Sequence, residues 1–350
     1  DPAFLDREVS SVAIDSRKVV KDTLFVAIKG ARVDGHSFIP QVMEAGALCS
    51  LSEQDLGDVD YPYIRVSSCT EALKDLAEHY RRSLDIKVVG ITGSVGKTST
   101  KEMIASVLSE KYNVLKTEGN FNNEIGLPLT VFNLRKEHEV AVLEMGISDF
   151  GEMDRLSKIA QPDISVITNI GLCHLENLKT RDGILKAKTE IFNNMKPDGI
   201  AILNGDDDKL ITVDEVNGKK PERFGINYKD GVYAKDIENL GLSGTKFVIS
   251  GLNCVDGCKD FEVTVPVPGH HMIYNALAAA CVGAALELTS AQIADGITDL
   301  KTISGRNNII KTSKYTLIDD CYNANPVSMK ASVDVLDMAI GRKVCILGNM

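Results

Sequence analysis

The run Thr92-Gly93-Ser94-Val95-Gly96-Lys97-Thr98-Ser99 follows the apolar stretch KVVGI and leads straight into a helical pattern. Strand, glycine turn and helix start together make a phosphate site. The glycines admit backbone N–H groups to the phosphates, the helix N-terminus favours negative charge, Lys97 reaches the β and γ oxygens, and the Thr98 hydroxyl can ligate Mg²⁺. The longer Walker spacing asks for a glycine at position 91, where the chain has Ile91; Gly90 is one residue out of register. A guanine-selective Asn-Lys-x-Asp is also lacking, because Asn169-Ile170-Gly171 carries neither the lysine nor the aspartate.

In open α/β sheets, ligands bind beyond the carboxyl ends of the strands. Glu144 follows EVAVL, Thr168 and Asn169 end ISVIT, and His174 lies a few residues further on. A carboxylate, an imidazole and the Mg²⁺ of a nucleotide could converge there beside Thr98. Taken alone, Glu144 reads equally as a solvated strand end and His174 as a loop histidine. Ile184, Ile191, Phe192 and Met195 define an apolar helical stripe on which Lys188 falls, whereas Lys186 faces the other way. A lysine on an inward stripe must snorkel, pair or lose its charge. Further along, Asn275 and His270 start the Ala-rich helix GHHMIYNALAAACVGA, and Asp319-Asp320 close a strand, where acidic residues hold ribose in other nucleotide folds. Asn120, Asn122 and Asn123 in NFNNEIGLPLT offer amide groups to a sugar or peptide, or simply form an Asx-rich turn.

These residues need elements to hold them. Residues 1–85 alternate short strands (11–14, 23–28, 63–66) with helices (38–45, 70–84), which predicts a small α/β domain. From Lys87 the order is strand 87–92, helix 97–111, strands 139–143 and 164–168, helix 181–195 and strand 199–203. That alternation predicts a mainly parallel sheet covered on both faces. Residues 228–267, rich in glycine and short strands, read as a β-rich extension, and helix returns at 271–286. A strand from 315, a helix 326–339 and a strand 343–347 open a third α/β unit, which cannot bury its own faces. The expectation is therefore an α/β protein of three domains: 1–85, a central P-loop-type domain 86–312, and 313–350 as the start of a truncated C-terminal Rossmann-like domain. Asp1, in place of a methionine, adds the expectation that native residues precede it.

The 350 residues are 44% hydrophobic and 25% charged, as in ordinary globular proteins. With 39 basic against 49 acidic residues the net charge is -10, which argues against a nucleic-acid partner. Eight scattered cysteines fit reduced thiols and a cytoplasmic location. No apolar run approaches membrane-spanning length, so no membrane insertion is expected; the chain is expected to act as a monomer.

TGSVGKTS resembles the phosphate loop of the Mur ligase and folylpolyglutamate synthase superfamily, whose signature begins with Thr-Gly and so accounts for Ile91. The resemblance covers essentially the whole chain and extends to LEMGIS, TNIGLCHLE, LKAKTEIF, Ser304-Gly305-Arg306 and DDCYNANPVSM. It implies that Glu144 and His174 hold metal ions and that Lys188 is carbamylated by CO₂ to ligate a second Mg²⁺. It also implies that Asn275 lies beside adenine, that Arg306 approaches the terminal phosphate, and that Asp320 meets the ribose. AIDSRKVVKDTLFVAIKGARVDGHSF implies a UDP site near Ser16, Arg17, Asp34 and His36, where an arginine suits a pyrophosphate. The activity implied is ATP-dependent addition of D-alanyl-D-alanine to a UDP-muramoyl tripeptide. The rival readings are another ligase of the family, such as the one adding the third amino acid, a silent nucleotide-binding homologue, and a P-loop kinase.

Overall fold

Short runs of Val, Ile, Leu and Ala with nearly every side chain out of water can only be interior strands, and they set the architecture. A computed structural model describes residues 7–348. Asp1 and Met350, on which the expectation of missing residues rests, lie outside the described residues. The chain packs as two compact units, Asp1–Asp85 with Glu118–Lys136, and Ile86–Thr117 with Glu137–Met350.

In the first unit, β1 (Ser11–Ala13), β2 (Thr23–Val26), β3 (Cys49–Ser52) and β4 (Tyr63–Arg65) form an all-parallel sheet in that order, with helices α1 (Ile39–Glu44) and α2 (Cys69–Arg82). The second unit opens with β5 (Lys87–Thr92), α3 (Lys97–Leu108) and β6 (Val114–Lys116). The chain then returns to the first unit for α4 (Gly126–Val131), whose neighbours Ile125, Leu129 and Phe132 pack against Leu24, Leu51 and Leu73. The alternation of strand and helix in the sequence places this stretch in the central domain, 86–312. The contacts decide otherwise, because its apolar face is buried in the first core.

Back in the second unit follow β7 (Val140–Glu144), α5 (Glu152–Ala160), β8 (Ile164–Ile167), α6 (Leu175–Leu178), α7 (Arg181–Thr189), β9 (Ile200–Asn204) and β10 (Glu222–Gly225). Then come β11 (Val232–Asn239), β12 (Thr245–Ser250), β13 (Asp260–Val265), α8 (His271–Ala285) and α9 (Ser290–Thr298). The sheet runs β13-β12-β11-β10-β9-β8-β5-β7-β6, parallel from β6 to β11 and antiparallel over the last two pairings. The β-rich extension thus continues the central sheet at one edge. Helix α3, against α8 and α9, is packed into the main core and not exposed, with Met103, Ile104, Val107 and Leu108 at zero exposure.

Two expectations at the carboxyl side change. β14 (Asn308–Lys311) pairs antiparallel with β15 (Thr316–Asp319), a separate two-stranded ribbon followed by α10 (Pro326–Asp337). Residues 343–347, expected as a strand, have no regular structure, since no described strand offers them a ladder. Helix 181–195 also stops early: the Thr189 hydroxyl bonds back to the carbonyls of Leu185 and Lys186, and a 3₁₀ turn Glu190–Phe192 carries the stripe onward. Among the described residues no helix is long and apolar enough to cross a membrane.

The α3–α9 contact gives a stability test. A Cβ at Gly296 would lie 2.5 Å from Val107 Cα and 3.0 Å from Ser106 O, whereas one at Gly283 meets only the side chains of Ile293 and Val107. Gly296→Ala should cost roughly 1–3 kcal/mol in urea unfolding, and Gly283→Ala less. The reverse order would mean that α9 does not seat on the α3 backbone.

Candidate active site

β5 ends where its neighbours end. Its register sets Ile91 beside Glu144 on β7 and Thr92 beside Ile167 on β8, so three strand ends deliver their next residues to one place. Here the chain turns sharply at Gly93 (φ 153°), whose missing Cβ would fall 1.9 Å from Thr168 Oγ1, and at Gly96 (φ 83°), which starts α3. The turn is laced to the end of β8: Ser94 N donates to Asn169 O at 3.0 Å and Val95 N to Asn169 Oδ1 at 3.0 Å. Thr168 Oγ1 and Asn169 Nδ2 both donate to Val95 O, and Gly171 N donates to Ser94 Oγ at 2.8 Å. Lys97 folds back over the loop, its Nζ donating to Gly93 O at 2.9 Å. Thr92 is wholly buried beneath the loop, so it shapes the turn from below. Gly90, the misplaced Walker glycine, sits against Met145 and Pro162 and serves packing.

Around this loop the structure gathers an unusual charge set. Glu144 is 2% exposed, not the solvated strand end that sequence left open. Lys188 is 1% exposed on the inward face of α7 while Lys186 faces solvent. Burial first, then Lys97, pushes the Lys188 ammonium down to about 7, with only the Cys173 thiol opposing. Lys97 is lowered chiefly by burial, with Arg306 adding to the effect and Glu144 and Cys173 countering it. His174 has a left-handed backbone (φ 54°) at the start of α6; burial, Lys188 and Lys97 all lower its imidazole. Lys97, Glu144, Cys173, His174, Lys188 and Arg306 therefore share one electrostatic neighbourhood. Cys173 was not anticipated, for nothing in its spacing marks it.

The donor set decides what cation could sit here. Among the described residues no three His, Cys, Asp or Glu side chains cluster as a metal site. One buried carboxylate with the Thr98 hydroxyl fits a hard ion that completes its shell with phosphate and water, as Mg²⁺ does. His174 is a softer donor, and Lys188 fits only as an anionic carbamate, because its ammonium repels a cation.

Beside the loop lies a cleft of about 250 Å³, bounded by Val95, Gly96 and Ser99 on one side and by His271, Asn275, Arg306 and Asp320 on another. Asn275 Oδ1 accepts from Thr100 Oγ1 at 3.0 Å, tying α8 to α3. His271, not the more exposed His270, lines the cleft. The Arg306 guanidinium stands 4.3 Å from the Tyr322 ring centroid, and Asp320 is braced by Asn307 N and Ser332 Oγ. Phe224, Asn204 and Tyr274 also line the cleft. Asn204 was findable as the end of β9, whereas Phe224 and Tyr274 carry no spacing signal.

In the first unit, Ser16 and Arg17 lie on a 3₁₀ turn next to Lys18, whose Nζ is 5.7 Å from the Phe121 ring centroid; this brings the turn beside the Asn-rich run. Arg17 is highly exposed and doubly bonded to Asp15. Asp34 Oδ1 lies 2.6 Å from His36 Nδ1, and Glu53 N donates to His36 Nε2 at 3.0 Å. With both ring nitrogens engaged and the residue 7% exposed, His36 braces the loop from within. Asn123 Oδ1 accepts from Ile125 N and Gly126 N at the start of α4, so the Asx-turn reading holds for that residue, while Asn120 is exposed and Asn122 partly so.

Comparison with known proteins matches residues 8–81 to the Mur ligase family catalytic domain and residues 91–283 to the Mur ligase middle domain. The UDP-N-acetylmuramoyl-tripeptide–D-alanyl-D-alanine ligase of Bacillus subtilis strain 168 is 39% identical over 355 residues, covering 100% of this chain and 75% of that protein. A crystal structure of MurF from Acinetobacter baumannii superposes with a TM-score of 0.89 at 36% identity, over 97% of this chain and 73% of that one. The MurF ligase of Thermotoga maritima in complex with ADP gives 0.84 at 33%, over 95% and 76%. The chain spans about three quarters of the length of these relatives, and with such identity over nearly all its residues it belongs to the Mur ligase family.

Proposed function

We propose that this chain is an ATP-dependent ligase that joins the amine of D-alanyl-D-alanine to the free carboxylate of a UDP-N-acetylmuramoyl tripeptide. A carboxylate is a poor electrophile. The γ-phosphoryl of ATP passes to it, ADP leaves, and the neutral amine attacks the acyl phosphate, forming the amide as phosphate departs. Catalysis is then mostly positioning and charge neutralisation. The single observation that carries the reading is the pairing of a phosphate-loop lysine with a second buried lysine, at strand ends that also present Glu144. Lys97 there counters the repulsion between triphosphate and carboxylate, and Lys188, whose ammonium is pushed down to about 7, is the amine that as a carbamate would hold a further cation to the same end. A kinase needs no second lysine.

Lys97 and Arg306 contact the β and γ phosphates in this reading, backbone N–H groups from Gly93 to Ser99 cradle them, Asn275 lies beside the base and Asp320 meets the ribose. Ser16, Arg17, Asp34, Asn120, Asn122 and Asn123 form the uridine-diphosphate and peptide side, with His36 bracing it. Thr98, Glu144, His174 and Lys188, once carbamylated, would hold two Mg²⁺ ions, whose chemistry is to offset phosphate charge. Lys188 suits carbamylation, because neutral amine is the form that captures CO₂ and its ammonium is already pushed down to about 7. The chain acts as a monomer in the cytoplasm, where its cysteines stay reduced.

The deciding experiment follows product mass in the full-length protein supplied with ATP, Mg²⁺, the UDP-linked tripeptide and D-alanyl-D-alanine. A ligase yields ADP, free phosphate and the pentapeptide; a phosphorylated stable acceptor would identify a kinase, and no turnover a silent homologue. Lys188→Ala should lower the rate by orders of magnitude, Lys186→Ala hardly at all, and bicarbonate should stimulate only where Lys188 is present. Equal effects of the two would remove the carbamate from the mechanism.

A stability test needs no activity. The unfolded chain holds the Lys188 proton up to about 10.5 while the folded chain releases it near 7, so between those values unfolding takes up protons. The burial penalty is complete below pH 7 and is lifted as pH rises toward 10. Lys188→Met should therefore exceed the parent in stability most at pH 6, by an amount on the order of a few kcal/mol, and least near pH 10. A difference independent of pH would show that Lys188 keeps its charge on folding.

A further inference from the structure

Lys101 is one of the largest side chains lying entirely out of water, at 1% exposure, one turn of α3 beyond Thr98. Its Nζ donates to the carbonyl of Thr117 at 2.6 Å and pairs with Glu102 Oε1 at 2.9 Å, while the other Glu102 oxygen holds Lys116. Carrying an ammonium group inside is costly, and one carbonyl with one neighbouring carboxylate is a modest return unless that carbonyl has to be held in place. Thr117 is the last residue before the chain enters the first unit. It is fully buried, and three of its groups are committed. Its N donates to Val142 O at 3.0 Å, its Oγ1 accepts from Glu144 N at 3.0 Å, and its carbonyl accepts from Lys101 Nζ. Lys101, Thr117 and the backbone of Glu144 thus form one unbroken hydrogen-bonded line.

We infer that Lys101 is a positioning residue for the divalent cation: by fixing Thr117 it fixes the backbone of Glu144, and with it the direction of the carboxylate that holds the ion. This rests on the reading of Glu144 as a cation ligand. Supports of this kind orient ligands without touching the metal, and their loss is felt in metal affinity before anything else. The rival role is plain cement between α3 and the end of β6. Cement would affect melting temperature and leave cation affinity alone.

Mn²⁺ serves as the probe, titrated into the full chain with saturating ADP and followed by the electron paramagnetic resonance of the free ion. Metal-free ADP affinity and melting temperature are measured alongside. Lys101→Met and Thr117→Val should each weaken Mn²⁺ roughly tenfold, with ADP affinity unchanged, while Thr117→Ser, which keeps the hydroxyl, should bind as the parent does. Glu144→Ala should abolish tight Mn²⁺ binding. If Glu144→Ala leaves Mn²⁺ binding intact, the reading of Glu144 is wrong and the inference falls with it. If Glu144→Ala abolishes binding but Lys101→Met and Thr117→Val match the parent, the inference alone is overturned. Should Lys101→Met fail to fold, Thr117→Val against Thr117→Ser decides the matter.

Discussion

A lysine ammonium is strongly hydrated and costly to take out of water, and the second unit buries lysines beside its phosphate loop. Lys188 and Lys101 are each 1% exposed, and Lys97 is held down by burial as well. Each occupies a position that an apolar residue would fill at less cost. What makes the arrangement tolerable is the packing of the rest: five β5 residues from Val88 to Thr92 and all of β7 lie within the sheet interior, supplying the burial that offsets the penalty. The fold therefore keeps Lys97 beside the loop where phosphate would arrive and holds Lys188 with its ammonium pushed down, toward the neutral amine.

Geometry there depends on strand register more than on any loop. A slip of one residue between β5 and β7 would turn Glu144 to the other face of the sheet. Parallel pairing across β5, β7 and β8 puts three carboxyl ends together, and the turn after β8 is then bonded to the phosphate loop through Thr168, Asn169 and Gly171. A loop supported on two sides has little left to reorganise when a phosphate enters, which is what electrostatic preorganisation requires.

The cleft beside the loop draws on far-separated sequence. Small residues of α8, Ala276, Ala279 and Ala280, let that helix come close to α3 within the core and carry Asn275 to Thr100. Arg306 and Asp320 arrive from the segment around the β14–β15 ribbon, where Asn307 N bonds Asp320 and Gly305 N bonds Asp319. In the first unit the equivalent economy is His36, which spends both ring nitrogens holding its own loop.

By itself the sequence determined the phosphate loop, the parallel sheet around it, and the strand-end candidates Glu144 and His174, since these follow from local spacing and from period-2 and period-3.6 patterns that need no partner. The inward side of Lys188 was legible for the same reason: it lies four residues from Ile184, on the stripe that Ile191, Phe192 and Met195 continue at seven, eight and eleven, whatever surrounds the helix. Only the tertiary structure decided that residues 118–136 belong to the first core, that 308–319 form a ribbon of their own, and that 343–347 lack a ladder. Those outcomes depend on which distant surface is available, and a hydrophobic run does not name its partner. Cys173 beside the two lysines and Lys101 behind Thr117 were invisible for a related reason. A helix pattern marks a buried lysine only as an exception, and the group that makes the exception tolerable, a carbonyl sixteen residues on, is brought to it by packing alone.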